Sequence, residues 1–440
     1  MKTPSTTAVR AMACASFGLP ALALALPSGY SYGALLLCGI GIADWFHRPA
    51  WSTDQRALVM FALALTALAG VWVWDAIHTQ PFKVNALDRP LKFALLWLAL
   101  PAVIWCPPPV AALRWGVWLG AIGAAVIATW QLAIVGMDRA WGHTNAIQFG
   151  NLALLLAIWS AVWIPHGRTW QAGVGWLAAL AGLFATLASE SRGGWWVAMV
   201  LLPMAWLLLR HGTGHAANGA DQPPPLSARA RRIWMLLALS VSAGVLGTQA
   251  ERLVERTQQA WHEASQHFQT GESTNSVGQR LAHWSLAWDM GTARPIAGWG
   301  EQGYQEEKAR RVDAGLAPPV LLSFQHAHHE WLDMWAKHGL IGLLTLMAAY
   351  AVPGLIYTRV LLHHRTLPPQ AQKAHVNRQL CAVCGLLLVV GYLGFGMTQV
   401  MFAHNSSIIM YVFMNLLWLG AMLAPIEATP PPTRPLPPAA

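Results

Sequence analysis

Charge is what this chain has least of: Asp, Glu, Lys and Arg make up 11% of its 440 residues, against 55% hydrophobic residues. A soluble domain carries about 25% charged residues. So little charge cannot cover a water-exposed surface, so lipid is the main solvent and a pair of soluble domains is excluded. Cysteine is scarce as well. The five, Cys14, Cys38, Cys106, Cys381 and Cys384, lie in or beside apolar segments and none falls in the largest polar loop. That excludes a disulfide framework. Cys381 and Cys384 have CxxC spacing but open an apolar run, where helix packing accounts for them. No repeat of fixed period occurs, which argues against the inverted-repeat transporters.

Long apolar runs are what the chain has in abundance. A bilayer core of about 30 Å needs about 20 predominantly apolar residues per helix. Runs between polar or Pro-rich breaks predict an all-α polytopic membrane protein with about twelve spans. They fall near 11–27, 31–46, 57–76, 91–105, 110–136, 146–164, 171–188, 193–209, 233–250, 339–358, 380–398 and 407–424. Residues 1–27 could pass for a signal peptide, but with so many spans following, an uncleaved first helix is the better reading.

Lys and Arg exceed Asp and Glu by 28 − 19 = 9. In a soluble protein this would suggest nucleic acid; here the excess of cations in cytoplasmic loops explains it, and no nucleic-acid partner is expected. With the N-terminus cytoplasmic, the inside segments hold Lys2 and Arg10, Arg48 and Arg56, Arg114, Arg168, Arg210 to Arg232, and Arg359 to Arg378. Both termini are then inside. The expected organisation is nine spans in 1–250 with a flexible cytoplasmic linker at 211–231, an outer helical segment at 251–338, three spans in 339–427, and a disordered tail at 428–440.

The outer segment has helical periodicity and should form a small folded cap. Leu253, Val254, Trp261, Ala264 and Phe268 make an apolar stripe near a 3.6 period. Ser276-Val-Gly-Gln279 has the form of a capping box, so a second amphipathic helix should start at Val277, with Leu281, Trp284 and Trp288 on one face. Trp331, Met334 and Trp335 mark an interfacial helix that enters a span at Gly339.

Three outer features could carry chemistry. Ser189-Glu-Ser-Arg-Gly-Gly194 places Arg192 where a span begins, so guanidinium, helix dipole and exposed N–H groups suit an anion. A snorkelling interfacial Arg fits the spacing equally well. Arg280, four residues into the capped helix, could also grip a phosphate; an ordinary solvated Arg is the simpler alternative. The turn Pro295–Gly300 reads as shaping the cap. The third feature is His326-Ala-His328-His329-Glu330, where a histidine of near-neutral pKa suits general-base work. His326, His328 and Glu330 alternate as zinc ligands could, but neither H-E-x-x-H nor a Cys pair supports zinc, and no metal or other cofactor is expected. Between the third and fourth spans, Lys83, Arg89 and Lys92 put cations on the side that should be poor in them. An anionic lipid or a diphosphate would explain this, and so would chance in a short loop.

Ser276 with Arg280 four residues on, Ser191-Arg192-Gly193, and His328 followed eleven residues later by Gly339 and then by Gly342 resemble the O-antigen ligase and polymerase superfamily, most closely the lipopolysaccharide O-antigen ligases. The likeness in motif covers 189–194, 276–304 and 327–342. Asn, Ser or Gln usually follows the motif histidine, where this chain has His329. That leaves open whether His329 replaces a hydrogen-bonding neighbour or shares the base role.

The resemblance implies a GT-C-like glycosyltransferase in the bacterial inner membrane with a periplasmic active site. It would move an O-antigen glycan from undecaprenyl diphosphate to the lipid A core, with inversion and without metal; no Asp-x-Asp motif occurs. His328 would be the base, Arg192 and Arg280 would meet the diphosphate, and His326, His329, Lys83, Arg89 and Lys92 would contact substrate.

A polymerase or a protein O-oligosaccharyltransferase would share the donor and differ in acceptor; modest length without an added C-terminal domain favours the ligase. A lipid or glycan transporter is the rival of another class. Transporters carry ionisable residues at mid-membrane depth, whereas Asp44, Asp75 and Glu190 lie near span ends.

Overall fold

The computed structural model describes residues 4–43, 55–164, 169–210 and 274–424, with most of 254–269. The expected span near 233–250, the linker 211–231 and the tail 428–440 lie outside the described residues. The described chain is helical throughout: α1 (Thr6–Leu22), α2 (Gly29–Ala43), α3 (Gln55–His78), α4 (Asp88–Trp105), α5 (Val110–Thr129), α6 (Ala146–Val162), α7 (Thr169–Ala188), α8 (Arg192–Arg210), α9 (Ser276–Ala293), α10 (Gly300–Asp313), α11 (Glu330–Thr366), α12 (Pro369–Ala374), α13 (Val376–Phe395) and α14 (Asn405–Met422). A helix thus stands at each expected span position that is described. Six are long and apolar enough to cross a membrane and three shorter ones are apolar, so the protein is a multi-pass membrane protein.

Small residues let these helices approach closely, as packing in lipid requires. Gly116 and Gly120 of α5 lie against the backbone of α1, where a Cβ would come within 2.3 Å of the Phe17 carbonyl oxygen and 2.1 Å of that of Pro20. Gly41 of α2 lies equally close to the Leu98 carbonyl of α4. Helix α14 is apolar on every side because it is the central helix, packed by α4, α6 and α13. Two of its polar side chains are paired across the bundle: Asn415 Oδ1 accepts from Tyr357 Oη at 3.0 Å, and Tyr411 Oη donates to the Ala349 carbonyl at 2.8 Å. Cys381 and Cys384 are buried and free, part of this packing.

The cap has a core of its own, in which Leu286, Ala287, Met290, Tyr304, Leu321 and Ala336 meet. Its helices depart from expectation in three ways. Helix α9 starts at Ser276, and its cap is Asn275, whose Oδ1 accepts from Gly278 N at 2.8 Å. The Ser276 hydroxyl is turned away because Glu263 takes both it and the Val277 N–H, at 3.3 and 3.1 Å. The apolar stripe of the preceding segment is not packed in the cap core: Trp261 and Phe268 are 77% and 79% exposed, while Glu263 is buried. Helix α10 was not expected, having no apolar stripe. Its support is the side-chain pairing of Glu307 with Arg310 and Arg311, at 2.7 and 2.8 Å.

Helix α11 breaks at Gly339, where φ is +57°. Only glycine enters that region freely, and a Cβ here would lie 2.6 Å from the Ile296 carbonyl carbon. The break frees N–H groups at the start of the onward helix. The turn 295–300 accepts them: Leu340 N donates to the Pro295 carbonyl at 2.8 Å and Ile341 N to that of Ile296 at 3.2 Å. The cap turn and the span are thereby fastened together.

Candidate active site

The segment before α11 carries the histidine cluster at the end of the bundle where α6, α8 and α14 begin. Its residues are held by the loop before α14 and by the first turn of α11. Glu330 opens α11 and is wholly enclosed, accepting from Met401 N and from Phe402 N, the latter at 3.2 Å. Its own N–H donates to the Gly396 carbonyl at 2.7 Å. The loop 396–404 between α13 and α14 is therefore clamped to the histidine segment. Asp333 Oδ1 accepts from Ala327 N at 2.9 Å, fixing the residue just before His328.

His328 sits at φ +52°, an uncommon conformation for a residue with a Cβ. Its Nδ1 lies 3.2 Å from Gln399 Oε1. His326 packs edge-on to it, ring centres 4.4 Å apart, with Phe324 at 4.9 Å and His283 of α9 at 6.0 Å. Burial pushes the His328 ring down to about 4, and the guanidinium of Arg280 pushes the same way. Arg280 is thus within electrostatic reach of His328.

Arg192 opens α8, and its side chain lies outside what the structure describes. Its neighbour Gly193 packs against Thr398, where a Cβ would come within 2.2 Å of the hydroxyl. The start of α8 thus adjoins the loop that holds His328. His329 is the N-cap of α11, its Nδ1 accepting from Leu332 N at 3.3 Å. A neutral ring accepting there carries its proton on Nε2, so His329 presents a donor and not a base.

Two of the three loop cations are engaged within the chain. Arg89 pairs with Glu301 of α10 at 2.7 Å and lies over the Trp72 ring, and Lys92 pairs with Asp88. Lys83 is exposed.

Glu301 also meets Lys337 at 2.8 Å, and Lys337 reaches Asp333 at 3.0 Å and the Gln325 carbonyl at 3.1 Å. Asp75 of α3 accepts from Glu301 N at 3.0 Å. Burial opposes ionisation of Glu301, yet Lys337 and Arg89 hold it well below the usual carboxylate range. This ladder of ion pairs ties α3, α4, α10 and α11 into one frame beneath the histidines. The cavity inside the ladder has room for about one water and cannot admit a sugar.

Sequence reasoning missed Gln399, His404, His283 and the ladder. Among the described residues no group of three or more His, Cys, Asp or Glu could hold a metal ion.

Five histidines here share one response to pH. Burial is the largest cause in each, and His283 is lowered to about 3, His326 to about 2, and His328, His329 and His404 to about 4. Unfolded histidine titrates near 6.5, so the unfolded chain binds more protons below that pH. Their contribution is present above pH 6.5 and is lost as pH falls toward 4, by up to about 1.4 kcal/mol per pH unit for each histidine. Thermal unfolding in detergent should show Tm falling between pH 6.5 and 5; a flat Tm over that range would contradict the burial of these rings.

These features define a multi-pass membrane protein with a histidine and arginine site at one end of its bundle. Residues 177–347 match the family model described as O-antigen ligase, so this segment carries a membrane glycosyltransferase-like domain of that family, and it includes Arg192, Arg280 and His328. A protein of Haemophilus influenzae described as uncharacterized is 21% identical over 410 residues, covering 91% of this chain and 94% of its own.

Proposed function

We propose that the protein is an O-antigen ligase, moving a glycan from undecaprenyl diphosphate to the lipid A core at the periplasmic face of the bacterial inner membrane. The observation that carries this reading is His328: neutral at pH 7, held through Nδ1, and close to Arg280 within the family-matched segment. In the proposed step His328 Nε2 takes the proton of an acceptor sugar hydroxyl while that oxygen bonds to the anomeric carbon. The bond from that carbon to the diphosphate oxygen breaks, and its electron pair leaves with the diphosphate. A single displacement inverts the anomeric centre. Arg280 and Arg192 meet the charge that grows on the leaving group, a stabilisation of several kcal/mol in sites of this kind. His326 and Lys83 are proposed to contact the glycan and the membrane-surface phosphates, and His329 Nε2–H to donate to substrate. Arg89 and Lys92, paired as they are, shape the site. GT-C-like membership, twelve spans and cytoplasmic termini belong to the same reading.

The test is transfer from purified undecaprenyl-diphosphate glycan to lipid A core by the purified protein. Formation of glycan-bearing lipid A core is the expected result. Extension of the lipid-linked glycan with no transfer to core would replace the ligase with a polymerase.

A further inference from the structure

Both ends of the Gln399 amide are assigned by a neighbour. The backbone N–H of Val400 donates to one end at 3.1 Å, and only oxygen accepts, so that end is Oε1. The same oxygen faces His328 Nδ1 at 3.2 Å, so Nδ1 carries the proton and Nε2 is bare. The other end, Nε2, faces His404 Nε2 at 3.3 Å. That nitrogen must accept, which puts the proton of His404 on Nδ1.

His404 Nδ1 in turn lies 3.4 Å from Asn145 Nδ2. Asn145 cannot turn its oxygen there, because Oδ1 caps α6 by accepting from Gln148 N at 2.9 Å. Two donors therefore face each other with no acceptor between them. Gln148, wholly buried in the first turn of α6, likewise has an Nε2 with no partner among the described residues. Asn145 and His404 are the N-cap residues of α6 and α14, where helix dipoles favour negative charge. Gly193 brings the start of α8 against the same loop.

We propose that Gln399 sets the protons of two histidines in opposite senses. His328 is left with a bare Nε2 for the acceptor hydroxyl, and His404 gains an Nδ1–H that, with Asn145, binds an anionic phosphate oxygen of the donor. The inference rests on the reading of His328 as base. Gln399 is a positioning residue; His404 and Asn145 are ligand-binding residues. The charged and titratable groups facing His328 are Arg280 and His283 from α9, His326 from its own segment, and His404 beyond Gln399.

The test compares wild type with Gln399→Glu, Gln399→Met and His404→Gln in the full-length protein, measuring kcat against pH and KM for each substrate separately. A carboxylate at 399 still accepts from Val400 N and His328 Nδ1, but its charge favours the protonated ring. The acid limb of kcat should then move up by at least about one pH unit. The same carboxylate would draw the His404 proton to Nε2, so KM for the lipid-linked donor should rise about tenfold, the loss of one hydrogen bond to a charged group. Gln399→Met should lower kcat without moving the limb. His404→Gln should raise KM for the donor and leave that for the lipid A core acceptor unchanged. An unmoved limb in Gln399→Glu, with His328→Ala inactive, would overturn the assignment for Gln399 while sparing the base. A rise in acceptor KM alone in His404→Gln would overturn the phosphate site. Full activity in His328→Ala would instead remove the reading on which both rest.

Discussion

Replacing His328 by alanine is expected to lower kcat for glycan transfer by about 10²–10⁴, the range that a positioned general base contributes. KM for the donor should change little, since this side chain is proposed to act on the acceptor hydroxyl. Arg280→Ala should lower kcat too, through weaker stabilisation of the leaving diphosphate, and removal of a comparable donor costs about 10²–10³ elsewhere. The pH profiles carry a second signature. In the free protein the ring is held near 4 by burial and by Arg280. A bound diphosphate brings negative charge, which favours the imidazolium and raises that value. The base works when neutral, so activity falls as pH drops through its pKa. The acid limb of kcat/KM, which reports free enzyme, should therefore lie near pH 4, and that of kcat should lie higher. Coincident limbs would mean that the donor's charge does not reach His328.

Asp333→Ala should cost about 3–5 kcal/mol of stability, the penalty for removing one partner of a buried ion pair. Lys337 is 2% exposed and would keep its charge with Glu301 as its remaining carboxylate partner. The Ala327 N–H would also lose its acceptor. Asp333→Asn separates the two effects, because its amide oxygen can still accept from Ala327 N while the ion pair is gone. Adding Lys337→Met to Asp333→Ala should recover part of the loss by removing the stranded charge. Denaturant titration in detergent would check this order. Equal stability of Asp333→Ala and wild type would show the ladder to be dispensable. Transfer activity should fall with Asp333→Ala even below its melting temperature, since the histidine segment would lose its anchor.

What the sequence made legible follows from the reach of each signal. Apolar runs announce helices locally, and those at 55–78, 376–395 and 405–422 lie where the runs put them. Helix α9 was visible because Leu281, Trp284 and Trp288 keep helical spacing. Helix α10 was not, because Glu307, Arg310 and Arg311 support it with charge and Tyr304 is its one buried apolar side chain. The histidine cluster stood out by residue type alone. Gln399 and His404 did not, since a glutamine in an apolar loop follows no pattern and its partner His328 is 71 residues away. The loop cations show the same gap. Arg89 looked in need of an external anion because Glu301, its carboxylate partner, is 212 residues distant. Lys92 had Asp88 four residues before it, a pairing open to view. Gly339 could be read as a motif glycine from spacing, but its cause, a positive φ against the Ile296 carbonyl, needed the fold.

The break at Gly339 makes the stretch Glu330–His338 a strut between His328 and the span that anchors it. Nine helical residues measure about 13 Å. The proposed polyprenyl-linked donor has its cleavable bond at a height fixed by its lipid tail, so the proposed base must stand at a matching height. The spacing of His328 from Gly339 then acts as a ruler graduated in helical turns. Lengthening it by one residue would rotate the histidine about the strut by about 100° as well as lift it, so an insertion or deletion in this interval is expected to abolish transfer.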